Sequence, residues 1–283
     1  MRVLVTGATG FIGNYVVREL LKYNFDIIAS GIEQKNDLPY NRFKKVNYIQ
    51  ADLNESRDDW FSFFNKPDML IHLSWQGLPN YKELFHLEKN LPNNYFFIKN
   101  MVKKGCKKIV GIGTCLEYGM QSGVLKEDLV TKPDNPYALA KDSLRNFIYE
   151  LSKKFDFDLK WIRLFYMYGK GQSPNSILSQ LESSLQRKDK VFNMSGGEQI
   201  RDYLPVEKVA EYIVKISKQD KISGIINCCS GKPISIKELV ENYLAKKNKN
   251  IELNLGYYPY PDYEPMIFWG DDQKLNKVLK FSK

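Results

Sequence analysis

The chain has 283 residues, 43% hydrophobic and 27% charged, with a net charge of +9. This suits one large soluble α/β unit with a smaller lobe, and no run of roughly 18 apolar residues offers a membrane span. The lysines are scattered, with no basic tail and no interleaved aromatic–basic motif, so nucleic acid is not the expected partner; a basic surface equally suits phosphate-bearing small molecules.

Residues 2–6 read as a compact apolar strand that begins at once, without the charged and apolar regions of a signal peptide. Gly7-Ala8-Thr9-Gly10-Phe11-Ile12-Gly13 follows, then a helical run through Val16, Val17, Leu20 and Leu21, then a strand at about 26–30. Strand, glycine turn and helix form the unit that a dinucleotide pyrophosphate needs: the glycines allow close backbone approach, and the helix N-terminus supplies unpaired N–H groups.

The alternation continues. Segments 46–52, 69–74, 108–114 and 159–164 read as strands. Between them, 60–64 reads as a short helix, 84–102 as a long one, and another begins at Pro136, a residue suited to a first helical turn. This order predicts a Rossmann-type doubly wound parallel sheet over 1–168. Ligands then belong at the carboxyl ends of the strands, at Gly7, Ser30, Asp52, Ser74 and Thr114. Beyond Leu164, helices are expected at 174–187, 205–218 and 235–247, and short strands at 191–194, 225–228 and 251–255. Residues 169–283 read mainly as a smaller C-terminal α/β substrate lobe, with some segments returning to the sheet.

Tyr137 and Lys141 stand four residues apart, on one face of the Pro136 helix. An ammonium beside a phenol favours phenolate and lowers its pKa toward the working range, so Tyr137 can trade a proton with an alcohol or ketone. Cys106, Cys115, Cys228 and Cys229 match neither a disulfide framework nor a zinc site. No metal is expected, and reduced thiols suit a cytoplasmic protein. His72 reads as a packed strand residue and His86 as an exposed one.

Several motifs, in order and at family spacing, make the chain resemble the extended short-chain dehydrogenases/reductases, in the NAD(P)-dependent sugar-nucleotide epimerase/dehydratase group. They are the turn from Thr6 to Gly13, Ile71-His72-Leu73-Ser74, Thr114-Cys115-Leu116-Glu117-Tyr118-Gly119, Tyr137-x-x-x-Lys141, the run from Arg163 to Gly169 and the run from Arg201 to Val206. The resemblance implies cofactor contacts from Gly7, Thr9, Gly10, Phe11, Ile12, Gly13, Ser30, Gly31, Asp52, Leu53, Leu73 and Ser74. It makes Tyr137 the acid/base, Lys141 its partner and a holder of the nicotinamide ribose, Thr114 the hydroxyl donor and Asn90 a support of the proton relay. Thr114, Tyr137, Tyr166 and Arg201 then face the substrate. A homodimer through the helices near 84–104 and Tyr137 is the corresponding partner expectation.

The departures narrow the activity. The position that holds an Asp in many NAD-dependent relatives is here about Gly31, which leaves room for a 2′-phosphate, with Lys35 near enough to pair. NADP(H) is therefore favoured, and Glu33 leaves NAD(H) possible. Cys115 and Leu116 replace the Asp-Glu pair of the 4,6-dehydratases, and Leu116 stands where the fucose-synthase type has its Cys; neither dehydration nor combined epimerisation–reduction suits this set. Tyr166 replaces an Asn that binds sugar phosphates, and the Tyr-rich segment 257–263 shapes a different pocket. The expected activity is NADPH-dependent reduction of a nucleotide-linked 4-keto-6-deoxy sugar for surface polysaccharide. The alternatives are an NAD-dependent C4 epimerase and a catalytically idle NADP-binding sensor or scaffold. Tyr137 is expected to be the sole proton-transferring side chain of the site.

Overall fold

The computed structural model describes residues 1–38, 41–260, 262 and 264–281. Seven strands form the main sheet: β1 (Arg2–Thr6), β2 (Asp26–Gly31), β3 (Asn47–Gln50), β4 (Met69–His72), β5 (Lys108–Thr114), β7 (Asp158–Leu164) and β11 (Gly224–Cys228). All pair in parallel, in the order β11-β7-β5-β4-β1-β2-β3. The chain runs outward from β1 to β3, then returns to place β4 on the other side of β1. A crevice therefore opens between the carboxyl ends of β1 and β4.

Strand periodicity sends alternate side chains to opposite faces. Val3 and Val5 join one core with Val16, Val17 and Leu20 of α1 (Phe11–Leu20) and Ile213 of α6 (Val206–Lys218). Leu4 and Leu70 join the other, with Phe64 after α2 (Trp60–Phe63), Phe97 and Ile98 of α3 (Leu91–Lys104), and Leu144 and Ile148 of α4 (Pro136–Ser152). The doubly wound α/β fold is thus built as expected, with differences of detail. The expected 84–102 helix is regular only from Leu91, because His86–Asn90 forms a π turn before it. The expected 69–74 strand ends at His72, so Leu73 and Ser74 lie in the loop at the crevice.

The remaining elements are β6 (Gly123–Leu125), β8 (Tyr166–Tyr168), α5 (Ile177–Arg187), β9 (Val191–Asn193), β10 (Ile200–Pro205), β12 (Pro233–Ser235), α7 (Ile236–Lys247), β13 (Glu252–Asn254), β14 (Phe268–Gly270) and α8 (Gln273–Phe281). The strands form a β12-β10-β8 sheet and two pairs, β13-β9 and β14-β6. Leu178 and Leu181 of α5, Phe192, and Leu239 and Val240 of α7 make a separate small core. Arg201 on β10 lines a cavity together with Leu178 and Ile236 of this small core. No described helix is long and apolar enough to cross a membrane.

Candidate active site

Gly7 closes β1 with φ +65, and a Cβ there would lie 2.8 Å from the Ser74 nitrogen. The backbone of the β1 turn thus lies directly on the loop after β4. A Cβ on Gly13 would run into the carbonyl oxygen of Gly7, so the first turn of α1 folds back onto the loop. Gly10 is the α1 N-cap and offers no side-chain cap, leaving the first N–H groups of the helix for a ligand. A Cβ on Gly10 would meet nothing nearer than 3.4 Å, so the space beside it is open. These features fit the pyrophosphate of a dinucleotide.

A cleft of about 470 Å³ runs from this turn. Gly7, Gly10, Phe11, Ile12, Gly13 and Leu73 line one end. Thr114, Cys115, Leu116, Tyr137, Lys141 and Tyr166 line the other. It shares Tyr81, Tyr166, Gln172 and Glu264 with an adjoining cavity of about 690 Å³ that reaches Arg201. The expected residues of the glycine turn other than Thr9, together with those of the β5 end and α4, are therefore brought together.

Others lie apart from the cleft. Ser30 is buried, and its carbonyl accepts from the Ala8 N–H at 2.9 Å. Asp52 Oδ1 accepts from the Asn54 N–H at 2.9 Å and from the Gln76 amide at 3.2 Å. Leu53 lines a different cavity, on the side of α3. Asn90 sits in the π turn, where its amide donates to the Gln76 carbonyl at 2.9 Å and approaches His86 Nδ1 at 3.3 Å. Tyr257 is exposed, and Tyr263 lies outside the described residues.

At Gly31 the geometry changes the cofactor argument. A Cβ there would approach Thr9 Oγ1 and Glu33 Oε2, at 2.5 and 2.7 Å. The Thr9 hydroxyl donates to that Glu33 carboxylate at 2.6 Å. Glu33 thus folds back over the position expected to be empty, so a 2′-phosphate would meet a carboxylate, while Lys35 lies in the outer turn Lys35–Asp37, away from both cavities. The space expected beside Gly31 is thus occupied by the Thr9 and Glu33 side chains.

Thr114 ends β5 and caps the turn that follows: its hydroxyl accepts from the Leu116 N–H, and its own N–H donates to Glu117 Oε1 at 3.0 Å. Glu117 is fully buried, and it also accepts from Trp161 Nε1 at 3.0 Å and Arg163 Nε at 2.7 Å. Gly113 has no side chain because a Cβ would collide with that carboxylate and the indole. Sequence reasoning gave Glu117 no role; its signal is an acid and a base, Glu117 and Arg163, inside otherwise apolar motifs.

Tyr137 is buried and lines the cleft beside Thr114. Lys141 does not act on it as expected. The Lys141 ammonium donates to the Ile112 carbonyl at 2.9 Å and lies 3.9 Å over the Trp75 ring. Burial, then the neighbouring Tyr81 phenol and the Glu117 carboxylate, hold the Tyr137 phenol well above its ordinary pKa. Burial lowers Lys141 to about 7, against the opposing pull of Glu117. The phenol is thus neutral, and the amine is the group near its titration point.

His86 is buried rather than exposed. Its Nε2 donates to the Asn80 carbonyl at 3.0 Å, its Nδ1 accepts from Trp75 Nε1 at 3.0 Å, and its ring lies 5.3 Å from that of Tyr137. His72 is packed as expected, between Thr6 Oγ1 at 2.8 Å and Asn94 Oδ1 at 2.6 Å. Burial and the nearby Lys141 charge lower it to about 3. Arg201 is buried; Nη1 donates to the carbonyls of Ile200 and Met266, and Nε pairs with Glu264 at 3.4 Å. The Tyr166 hydroxyl donates to the same carboxylate. Glu264 and Cys115 also line the cleft. Nothing in the Tyr- and Pro-rich sequence around Glu264 marked it. All four cysteines are free and buried. Among the described residues, no group of His, Cys, Asp and Glu is arranged to hold a metal.

A parallel sheet with a glycine-lined crevice at its reversal point, and a Thr, Tyr and Lys at the crevice mouth, defines a nicotinamide-dinucleotide oxidoreductase of the extended short-chain dehydrogenase/reductase type. The model of the NAD dependent epimerase/dehydratase family matches residues 3–229, and the chain belongs to that family. It is 31% identical over 274 residues, covering 95% of this chain and 99% of the relative, to a dTDP-6-deoxy-L-talose 4-dehydrogenase (NAD(+)) of Aggregatibacter actinomycetemcomitans. A GDP-6-deoxy-D-talose 4-dehydrogenase of the same organism is 25% identical, over 99% of this chain and 91% of that one. The fold is shared with a UDP-glucuronic acid 4-epimerase from Bacillus cereus, solved with UDP-glucuronic acid and NAD, at a TM-score of 0.83 and 24% identity, over 99% of this chain and 93% of that one.

Proposed function

We propose that this protein interconverts a 4-keto and a 4-hydroxy group on a nucleotide-linked 6-deoxy sugar, acting as a 4-ketoreductase with NADH. The observation that carries the reading is the placement of Tyr137. Its buried phenol lines the cleft beside Thr114, where it can give a proton to a carbonyl oxygen. The two 6-deoxytalose 4-dehydrogenases among its relatives support the substrate class and the carbon attacked.

A bound nicotinamide supplies the hydride that the carbonyl carbon takes up. The α1 N-terminus with Gly7, Gly10 and Gly13 would hold its pyrophosphate. Glu33 with Thr9 would accept the ribose hydroxyls, which favours NAD(H) over NADP(H). Thr114 hydrogen-bonds the carbonyl oxygen, and Tyr137 protonates it. Tyr137 regains its proton from solvent, since the Lys141 ammonium is directed at the Ile112 carbonyl and the Trp75 ring. Arg201 meets the phosphates of the nucleotide. Asn90 holds the π turn behind Trp75 and supports the relay from there.

The test is NADH consumption with nucleotide-linked 4-keto-6-deoxy sugars. One NADH oxidised per sugar reduced is expected. NAD released only on denaturation, with no net NADH consumption, would replace the reductase with a C4 epimerase; inactivity toward every nucleotide-linked sugar would leave an idle binding protein.

Phe96 on α3 and Leu139 and Phe147 on α4 are 61%, 43% and 45% exposed. We assign that apolar face to a second copy of the chain, in the cytoplasm. Light scattering that gives a monomer at micromolar concentration would remove the assignment.

A further inference from the structure

The cleft holds an acid that the Tyr137 chemistry does not use. Glu264 lines the cofactor-end cavity together with Thr114 and Tyr137, and the adjoining cavity together with Arg201. It therefore stands on the span between the reacting end and the arginine. Its side chain is 10% exposed. Its charge reaches toward Thr114 as well: after burial, Glu264 is the main cause that raises the thiol of Cys115, the next residue.

The surrounding charges leave no partner for a second carboxylate. Among the described residues, the cationic side chains lining the two cavities are Arg201, Lys82 and Lys141. Arg201 is committed to two carbonyls and Glu264. Lys82 pairs with Asp262 at 3.1 Å, where both side chains are exposed. Lys141 is directed at the Ile112 carbonyl. A nucleotide sugar already brings the negative charge of its phosphates to this arginine. A further anion on the sugar ring would face Glu264 in a partly dehydrated cleft, where like charges repel strongly. Sugar hydroxyls, by contrast, donate to a carboxylate.

We propose that Glu264 makes the site selective for nucleotide-linked sugars whose ring substituents are neutral, and that it rejects uronic acids. This rests on the nucleotide-sugar reading above and adds to it the residue that sets the sugar's charge. The fold itself does not impose the restriction, since the Bacillus cereus relative of the same fold was solved with UDP-glucuronic acid. The selectivity combines attraction of hydroxyls with repulsion of the wrong ligand.

Binding to the NAD-loaded protein by calorimetry tests it, using matched pairs: UDP-glucose with UDP-glucuronic acid, and dTDP-glucose with dTDP-glucuronic acid. The wild type is expected to bind the neutral member at least about 30-fold more tightly. Glu264→Gln keeps an acceptor oxygen and removes the charge, and should narrow the ratio to about threefold, mainly by tightening the uronate. A wild-type ratio within about threefold, or an unchanged ratio in a folded Gln variant, overturns the inference. The wild-type ratio decides even if that variant does not fold. Equal binding of both members defeats this inference alone; no binding by any member of either pair defeats the nucleotide-sugar reading with it.

Discussion

Lys141 stands one helical turn from Tyr137, yet its ammonium is directed at the Ile112 carbonyl, 2.9 Å away, and at the Trp75 ring, not at the phenol. The consequence is a division of labour: Tyr137 stays protonated, and Lys141 titrates near pH 7.

That division predicts a pH dependence of stability. Burial lowers the folded-state pKa of Lys141 from 10.5 to about 7, so the fold penalises the ammonium form. The penalty is fully present below about pH 7 and is relieved as pH rises toward 10.5, because the unfolded chain binds the extra proton there. Stability of the cofactor-free protein gains from this group, by on the order of a few kcal/mol, across that window. Lys141→Met should flatten the gain in a Tm series from pH 7 to 10. A Met variant that keeps the wild-type slope contradicts the assignment.

Glu117 holds Thr114 from beneath through the backbone N–H and is itself paired with buried Arg163. Glu117→Ala leaves that guanidinium only Asp142, 3.9 Å from Nη2, as a carboxylate partner, and its Nη1 already lacks a hydrogen-bond partner. A loss of about 3–5 kcal/mol in urea unfolding is expected. Glu117→Gln keeps an acceptor and should cost less, about 1–3 kcal/mol, with kcat lowered as Thr114 loses its charged anchor. Equal stability of the Ala variant and wild type would show that the pair does not support the turn.

The glycines of the turn separate into two kinds. Gly13→Ala drives a methyl into the Gly7 carbonyl, and thermal unfolding should show a loss of about 3 kcal/mol or more. Gly10→Ala has room for its methyl, so the fold persists, but the methyl projects beside the bare helix N-terminus. Its Kd for NADH, by fluorescence titration, should rise about tenfold or more. Unchanged NADH affinity in Gly10→Ala would move the pyrophosphate elsewhere.

On the proposed reading, Glu33 sets the choice of dinucleotide. Removing its charge with Glu33→Ala should raise the NADPH-to-NADH ratio of kcat/KM by about tenfold, with Glu33→Lys going further. A wild type that already prefers NADPH would contradict the role given to this carboxylate.

The doubly wound sheet was legible because each strand and helix carries its own apolar period, and the glycine turn because its spacing fits few other structures. Thr114, Tyr137 and Lys141 were legible as motif members, and the structure brings them to one cleft. What could not be read was direction. A spacing of four puts Tyr137 and Lys141 on one face but does not say that a Trp75 ring and the Ile112 carbonyl capture the ammonium. Likewise Gly31 looks like open space until Glu33 is seen folded over it. Glu264 belongs to a loop far along the chain, and only tertiary packing brings it to Arg201 and Tyr166.

The central claim is that Tyr137 delivers the proton to a sugar carbonyl. The most direct measurement is kcat for NADH-dependent reduction of a nucleotide-linked 4-keto-6-deoxy sugar by Tyr137→Phe, beside its Kd for NADH. A fall in kcat of about 10²–10⁴-fold is expected, with NADH affinity within about threefold of wild type. Wild-type turnover by the Phe variant would contradict it.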